Sequence, residues 1–570
     1  MKAWYQMAKR ADFSKISKEF NISPVLARLI RNRDVIEDED IKMYLNGTID
    51  DLYDGMLIKD MDKAIDVIKE KIDNKSKIRI IGDYDIDGVN ATYILQKGIE
   101  SLGGRVDTDI PDRVKDGYGL NINLIDKALD DEVDTIITCD NGIAAYNEIL
   151  YAKDNGMSVV VTDHHEVPFK EEDGKNIMVL PPADAVIDIK RPDCEYPFKG
   201  LCGAAVAYKF IEALYEVIGR DSKDMQYLIE NAAVATIGDV MELKGENRII
   251  VKEGLRRIKY TKNEGLRALI ELNNVPLDRI SPYHIGFVIG PCINASGRLE
   301  TAKSALKLLN SKSEIEAKSL AEELINLNNI RKDMTEKWVE EACDYIETSS
   351  LKNDKVMVVY LPKCHESIAG IIAGRIRERY YRPVFVLTKG EEFVKGSGRS
   401  IETYDMFKEM NKVKDIFEKF GGHKLAAGLS LKEEDVDDFR RRINKVCTLS
   451  DKDLIEKVHF DMTLPFGYIT ENLIEEFEKL EPCGNGNSRA MFAEKDVIVK
   501  SARIVGRNKN VAKLRLQDSK GVILDGVYFG EAEKFVSYTQ NQSKIAIMFY
   551  PDINEYMGMT SVQIVVKDYK

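Results

Sequence analysis

Between residues 78 and 240 the chain alternates apolar runs with charged, helix-like stretches, and four of those runs end in acids. They read IRIIGDYDIDG (78–88), DTIITCDNG (134–142), VVVTDHH (159–165) and AVATIGDV (233–240). Short, continuous apolar runs bounded by turn residues read as strands of a parallel sheet covered on both faces. Their alternation with helical periods predicts βαβ units from Ile78 to about Asp278. Upstream, SPVLARLIRNR and KDMDKAIDVIKEKI carry apolar residues at i, i+3 and i+4, so residues 1–75 are expected to be helical and to pack on that sheet. LCGAAVAYKFIEALYEVI (201–218) is apolar nearly all round, as a buried helix is.

Downstream the period changes twice. No Gly or Pro occurs between Ala302 and Ser349, so residues 301–350 are expected to form a long connecting helix. A second α/β unit starts at KVMVVYLP (355–362) and runs through RPVFVLTKG and the Gly-rich segments KGSGRS and FGGHKLAAG. From about Leu454, the short runs VIVKSARIVG, VAKLRLQD, GVILDGVYFG, KIAIMFY and SVQIVVKD suit the strands of a small barrel. The expected fold class is therefore α/β: a parallel-sheet domain (76–300) preceded by a helical segment (1–75), then the connecting helix (301–350), a second α/β domain (351–452) and a C-terminal barrel (453–570).

Composition narrows the class. At 570 residues the chain is too long for one core. Its eight Cys are scattered without a CxxC pair, which argues against zinc ribbons and a disulfide framework and fits a reducing compartment. The start, MKAWYQMAKRADF, has no apolar h-region, and no stretch approaches a membrane span, so a cytoplasmic location is expected. The net charge of −13 does not exclude a nucleic-acid partner, because phosphate binding needs only a local basic face. One such interval is Val497 to Gln517, which lacks acids and holds Lys500, Arg503, Arg507, Lys509, Lys513 and Arg515. Phe466, Tyr468, Phe492 and Tyr528 are aromatic candidates for base stacking in the same region.

In open α/β sheets, ligands sit beyond the carboxyl ends of the strands. Adjacent strands would aim Asp83, Asp85, Asp87, Asp140, Asp163, His164, His165 and Asp239 into one crevice. A single Asp after a strand is usually a turn residue or a helix cap. DxDxDG also overlaps a calcium loop, but here it follows a strand and lacks the closing Glu. Carboxylates packed this closely repel one another unless cations sit among them, and oxygen ligands with imidazole suit Mn²⁺ or Mg²⁺ better than thiolate-loving zinc. The pattern points to metal-dependent phosphate chemistry.

GDYDIDG, IPDRVKDGYG, CDNGI and VVTDHHE, in this order, resemble the motifs of the DHH phosphoesterase superfamily, and within it the RecJ family of single-strand-specific 5′→3′ DNA exonucleases. The resemblance continues through 180–209, VATIGDVMELKGENR, GPCINASGRLETA, KGSGRSIETYDM, FGGHKLAAGLSL and LEPCGNGN (480–487), and so covers nearly the whole chain. It implies a DHH catalytic domain, a DHHA1 substrate-binding domain and an OB-fold. It also implies two divalent ions, Mn²⁺ or Mg²⁺, bridged by Asp140, with Asp85 on one ion and Asp87, His164 and Asp239 on the other. Asp83 is the additional acid, Asp163 orients the His pair, and His165 contacts the scissile phosphate or protonates the leaving oxygen. Arg113, Ser397 and Arg399 would hold a terminal phosphate, with Gly421, Gly422 and His423 as further nucleic-acid contacts and Asn294, Ser296 and Arg298 on the entering strand. The implied reaction releases 5′-mononucleotides from single-stranded DNA in recombination and repair, by a monomer that works with a single-strand-binding protein and a helicase. The alternative is a DHH/DHHA1 phosphodiesterase of short oligoribonucleotides or cyclic dinucleotides. Departures from the family pattern are Gly238 for Ala, Cys292 for an Arg (expected to remove a phosphate contact), CHESIAG (364–370) in the second domain, and no His before KLRL in the barrel.

Overall fold

The computed structural model describes residues 2–113, 115–172, 175–506, 508–556 and 558–570. The chain divides into two units, one built mainly from 54–239 and 257–456, the other from 3–53, 240–256 and 457–570.

The first unit holds two five-stranded sheets and a two-stranded one, Phe169–Glu172 with Lys175–Met178. The catalytic sheet is five-stranded and parallel, in the order Arg105–Asp109, Lys77–Gly82, Thr135–Cys139, Ser158–Asp163, Ala185–Asp188. The three central strands are buried almost throughout, which is why they read as unbroken apolar runs. Ile136, Val159 and Val161 pack with Leu124, Ile125 and Ile149 from the helices Ile122–Asp130 and Tyr146–Asp154. The helices Ile86–Ser101, Gly203–Ile218 and Ile229–Gly238 pack on one another.

Three expectations need correction here. AVATIGDV is not a strand: it ends the helix Ile229–Gly238, and Asp239 is that helix's C-cap. This helix is buried for most of its length, so its apolar run carries no helical period and mimics a strand. The βα alternation therefore stops at Asp188, and from Gly203 to Leu309 the described elements are helices. The connecting helix is broken at Asn310–Ser313 into Lys303–Leu309 and Glu314–Thr348, and the Ser313 hydroxyl accepts from the Glu316 N–H at 3.3 Å to start the longer piece.

The second sheet of this unit runs Lys419–Gly422, Ala426–Leu431, Val394–Arg399, Val384–Lys389, Met357–Tyr360, and only the last pair is parallel. Trp338, Ala342 and Ile346 of the long helix share a core with Ile368 and Ile372 and with Val384 and Val386 of this sheet. Phe385, Leu387 and Leu429 face a second core that holds Met406, Phe439 and Ile443.

The second unit is a six-stranded barrel closed by pairing of Phe492–Val505 with Ile545–Tyr556. All five of the expected apolar runs lie in its strands. Ala512, Leu514 and Leu516 point inward, while Lys500, Arg503, Lys513 and Arg515 are exposed. Arg507 of the basic interval lies outside the described residues. Of the aromatic candidates, Phe466 and Phe492 are core residues and Tyr528 stacks on Phe535, leaving only Tyr468 well exposed. Helices Phe13–Phe20, Pro24–Asn32 and Asp38–Asn46 share this barrel's core through Leu26, Leu29 and Ile30, so residues 3–53 of the expected helical segment belong to the barrel's unit, and the segment from Asp54 onward belongs to the first unit. An amphipathic stripe fixes that a helix is buried but not which sheet buries it. Among the described residues no helix is long and apolar enough to cross a membrane.

Candidate active site

The first strand delivers its acids through a tight turn. Asp85 caps the helix Ile86–Ser101, its Oδ1 accepting from Asp87 N–H at 2.8 Å and Gly88 N–H at 3.2 Å. Gly88 lets the turn close: a Cβ there would lie 2.4 Å from the Asp83 carbonyl oxygen. Both oxygens of Asp87 are fixed by the N–H groups of Gly203 (2.7 Å) and Ala204 (2.8 Å), at the start of the helix Gly203–Ile218, where a carboxylate is favoured.

The second and third strands bring the rest. Asp140 takes the left-handed conformation (φ 59°), and its carbonyl accepts from the Tyr118 hydroxyl at 3.0 Å. His164 Nε2 lies 3.0 Å from Asp140 Oδ1, 3.5 Å from Asp87 Oδ2 and 3.9 Å from Asp239 Oδ2. Three groupings each bring their ligand atoms within 4.8 Å of one another: Asp83, Asp85 and Asp140; Asp87, His164 and Asp239; and Asp140, His164 and His165. Asp163 turns its oxygens elsewhere. Its Oδ1 receives the backbone N–H of His164 (2.7 Å) and His165 Nδ1 (2.7 Å), and its Oδ2 the N–H of Ile143 (3.0 Å), so it holds both imidazoles in place.

Electrostatics shows what the cluster lacks. Burial, then the charge of neighbouring acids, holds Asp83, Asp85 and Asp140 above the ordinary carboxylate range and carries Asp239 up to about 8. Asp83 Oδ1 is buried with no hydrogen-bond partner. Burial depresses His164. It would depress His165 too, but the hydrogen bond and charge of Asp163 outweigh it and bring the imidazole up to about 9. Crowded, destabilised carboxylates sharing an imidazole form a donor set that fits hard divalent ions.

A cleft of about 1300 Å³ opens beside the cluster, lined on one side by Tyr84, Arg113, Tyr118, His165 and Arg298 and on the other by Ser397 and Arg399. Arg113 lies over the Tyr84 ring at 4.9 Å, Arg298 donates to the Ser367 carbonyl at 2.8 Å, and Arg399 donates to the Gly398 carbonyl at 2.8 Å and Ser397 Oγ at 3.3 Å. None of these three pairs with a carboxylate among the described residues. Burial, then the charges of Arg113 and Arg331, lowers Arg298 to about 10. Unpaired guanidinium groups facing a cleft call for an anionic ligand.

Four expectations change. Asn294 accepts from the Ile86 N–H at 2.8 Å, so it steadies the acidic turn instead of facing a strand. Ser296 is fully buried and donates to the Ile293 carbonyl. His423 accepts from the Leu425 N–H and is not among the cleft residues, although Gly421 and Gly422 are. Cys292 is buried beside Asn273 and Asn328, on a helix face turned to the long helix, and is not among the cleft residues. Sequence reasoning missed Tyr84, Tyr118 and Asp188, each of which sat inside a motif already singled out (GDYDIDG, DGYG and VIDIK).

The fold and site define a phosphoesterase of the DHH/DHHA1 type. Family models match residues 77–237 as the N-terminal domain of the DHH family, 353–449 as a DHHA1 domain and 460–568 as a RecJ OB domain. The chain belongs to the RecJ family. It is 35% identical to the single-stranded-DNA-specific exonuclease RecJ of Bacillus subtilis (strain 168) over 567 residues, 98% of this chain and 70% of that protein. Crystal structures of RecJ from Thermus thermophilus are similar over 100% of this chain. The Mn²⁺ complex has a TM-score of 0.82 at 27% identity, covering 79% of that chain, and the Mg²⁺ complex has 0.77 at 26%, covering 78%.

Proposed function

We propose that this chain is a metal-dependent exonuclease of single-stranded DNA that works 5′→3′ and releases 5′-mononucleotides. The observation that carries the reading is the convergence of Asp83, Asp85, Asp87, Asp140, His164 and Asp239 beside a cleft of unpaired arginines. Asp83, Asp85 and Asp140 would hold one divalent ion, and Asp87, His164 and Asp239 the other, with Asp140 shared. Such a pair acidifies an attacking water and neutralises charge on the leaving oxygen.

The chain's own groups do the rest. Arg113, Ser397 and Arg399 bind the terminal phosphate, which sets the polarity, and Arg298 neutralises the following backbone. His165 stands at the cleft with a proton that Asp163, 2.7 Å from Nδ1, secures well above neutral pH. It donates to a phosphate oxygen as the leaving oxygen separates. Tyr118, 3.2 Å from His165 Nε2, keeps that ring and the Asp140 backbone in register. Residues 76–300, 301–350, 351–452 and 453–570 act as catalytic domain, connector, end-binding domain and strand-binding barrel. A monomer in the cytoplasm, fed by a helicase and a single-strand-binding protein during recombination and repair, completes the reading.

The test is incubation with 5′-labelled single strands, duplexes and short RNAs, with and without Mn²⁺, alongside Asp140→Ala. Immediate release of label as mononucleotide from single-stranded DNA, abolished by the substitution while strand binding persists, is expected. Internal products, RNA-only cleavage or a fully active variant refute the reading.

A further inference from the structure

Ile86 lies between Asp85 and Asp87, and asparagine side chains hold both of its backbone polar groups. Its N–H donates to Asn294 Oδ1 at 2.8 Å, and its carbonyl accepts from Asn90 Nδ2 at 2.7 Å. Two glycines let neighbouring helices close on its side chain. A Cβ on Gly238 would lie 2.5 Å from Ile86 Cγ2, and one on Gly290 would lie 3.1 Å from Ile86 Cδ1. The asparagine that grips the carbonyl is gripped in turn, because Asn231 Nδ2 donates to Asn90 Oδ1 at 2.8 Å. Both of these asparagines are buried, and a buried amide is costly unless it is paired. All of these residues belong to the first unit.

Asn90 belongs to the helix Ile86–Ser101 and Asn231 to the helix Ile229–Gly238, which pack on each other. Asn231 and Gly238 are two helical turns apart and so face the same seam, about 10 Å from each other along it. The Ile86–Gly238 contact and the Asn90–Asn231 bond are thus two fixed points of one interface. An apolar seam alone admits neighbouring packings, whereas a buried asparagine pair is satisfied in a single register. The helices carry ligands of the cluster where they meet. Asp87 lies in the first turn of one, Asp239 is the C-cap of the other, and with His164 they form one grouping.

We propose that Asn90 and Asn231 are positioning residues: their hydrogen bond pins the register of the two helices and so sets Asp239 at the right distance from Asp87 and His164. The inference rests on the metal-site reading above. Without the bond the helices settle on apolar contacts alone. Asp87 stays in place, held by the N–H groups of Gly203 and Ala204, and Asp239 is the ligand that moves. The grouping of Asp83, Asp85 and Asp140 depends on strand ends and on the Asn294 contact, neither of which Asn231 touches. Outer groups that orient a ligand are worth roughly 10- to 100-fold in metal affinity.

The test measures Mn²⁺ binding to the full chain by electron paramagnetic resonance, without substrate, beside thermal unfolding in EDTA. Asn231→Ala is expected to weaken one of two Mn²⁺ sites about tenfold and leave the other unchanged. It also lowers Tm, because Asn90 Oδ1 is left buried and unpaired. Asn90→Ala combined with Asn231→Leu puts an apolar pair of similar total volume at the seam and leaves no amide unpaired. This double variant is expected to regain Tm while its Mn²⁺ site stays weak. A pair that served stability alone would regain affinity together with Tm. Unchanged Mn²⁺ binding in both variants, equal loss at both sites, or recovered affinity in the double variant overturns the inference while leaving the metal reading intact. An unsubstituted chain that binds no Mn²⁺ overturns both.

Discussion

Asp188→Asn should stabilise the metal-free protein, and by more as the pH rises. Asp188 ends the Ala185–Asp188 strand in register with Asp163 and is fully buried. Its Oδ1 accepts from the Lys190 N–H at 2.7 Å, and its Oδ2 has no partner. Burial first, and then the charge of Asp163, raises this carboxyl from 3.8 to about 8. A carboxyl raised in the folded state contributes its full stability below its unfolded pKa and loses it as the pH climbs to the folded one. Across that interval the folded chain carries one more proton than the unfolded chain, so stability falls by about 1.4 kcal/mol per pH unit. By pH 7 the loss is on the order of 4 kcal/mol. Asparagine does not titrate, keeps the acceptor for the Lys190 N–H, and puts an unpaired amide donor where the protonated acid has an unpaired hydroxyl. The assay is thermal unfolding of both proteins in EDTA from pH 4.5 to 8.5. Taking their difference cancels the other acids of the cluster. The variant's advantage in Tm should be small at pH 4.5 and reach several degrees by pH 8. An advantage independent of pH, or a variant less stable at pH 8, would refute the argument.

Other perturbations read the site more locally. Tyr118→Phe removes the donor to the Asp140 carbonyl, and one such bond is worth about 0.5–1.5 kcal/mol, so single-turnover cleavage should slow roughly 2- to 10-fold with strand affinity nearly unchanged. Equal loss in binding and in rate would place Tyr118 on the substrate instead. Gly238→Ala restores the residue usual in the family, yet a Cβ there would lie 2.5 Å from Ile86 Cγ2, between Asp85 and Asp87. Such overpacking costs about 1–3 kcal/mol and should weaken Mn²⁺ binding, while adding Ile86→Ala should recover it, with calorimetric Mn²⁺ titration as the readout. A Gly238→Ala chain that binds Mn²⁺ normally would show that the helix end yields freely.

The departures from the family wording illustrate how far residues reveal a site. Gly238 for Ala changes the volume by one methyl, yet a Cβ there would press on Ile86, and Cys292 for Arg lies on a helix face turned to the long helix. Asn294 and Ser296 sit in the same motif as Arg298, and only the arginine lines the cleft. Helical rotation separates neighbours in sequence by about 100° each, so a motif names a helix turn and not the side that faces the ligand.

Periodicity alone determined the buried parallel strands, the long helix and the five apolar barrel runs, because each carries its pattern in consecutive residues. The acids after those strands were equally legible, since strand ends in a parallel sheet share one edge. Tertiary structure decided the rest. It set Asp239 at a helix end, gave residues 3–53 to the barrel's unit, and turned Asp163 toward the histidines and away from the ligand groupings. Those outcomes depend on which surfaces meet, and contacts between distant segments leave no period in the chain.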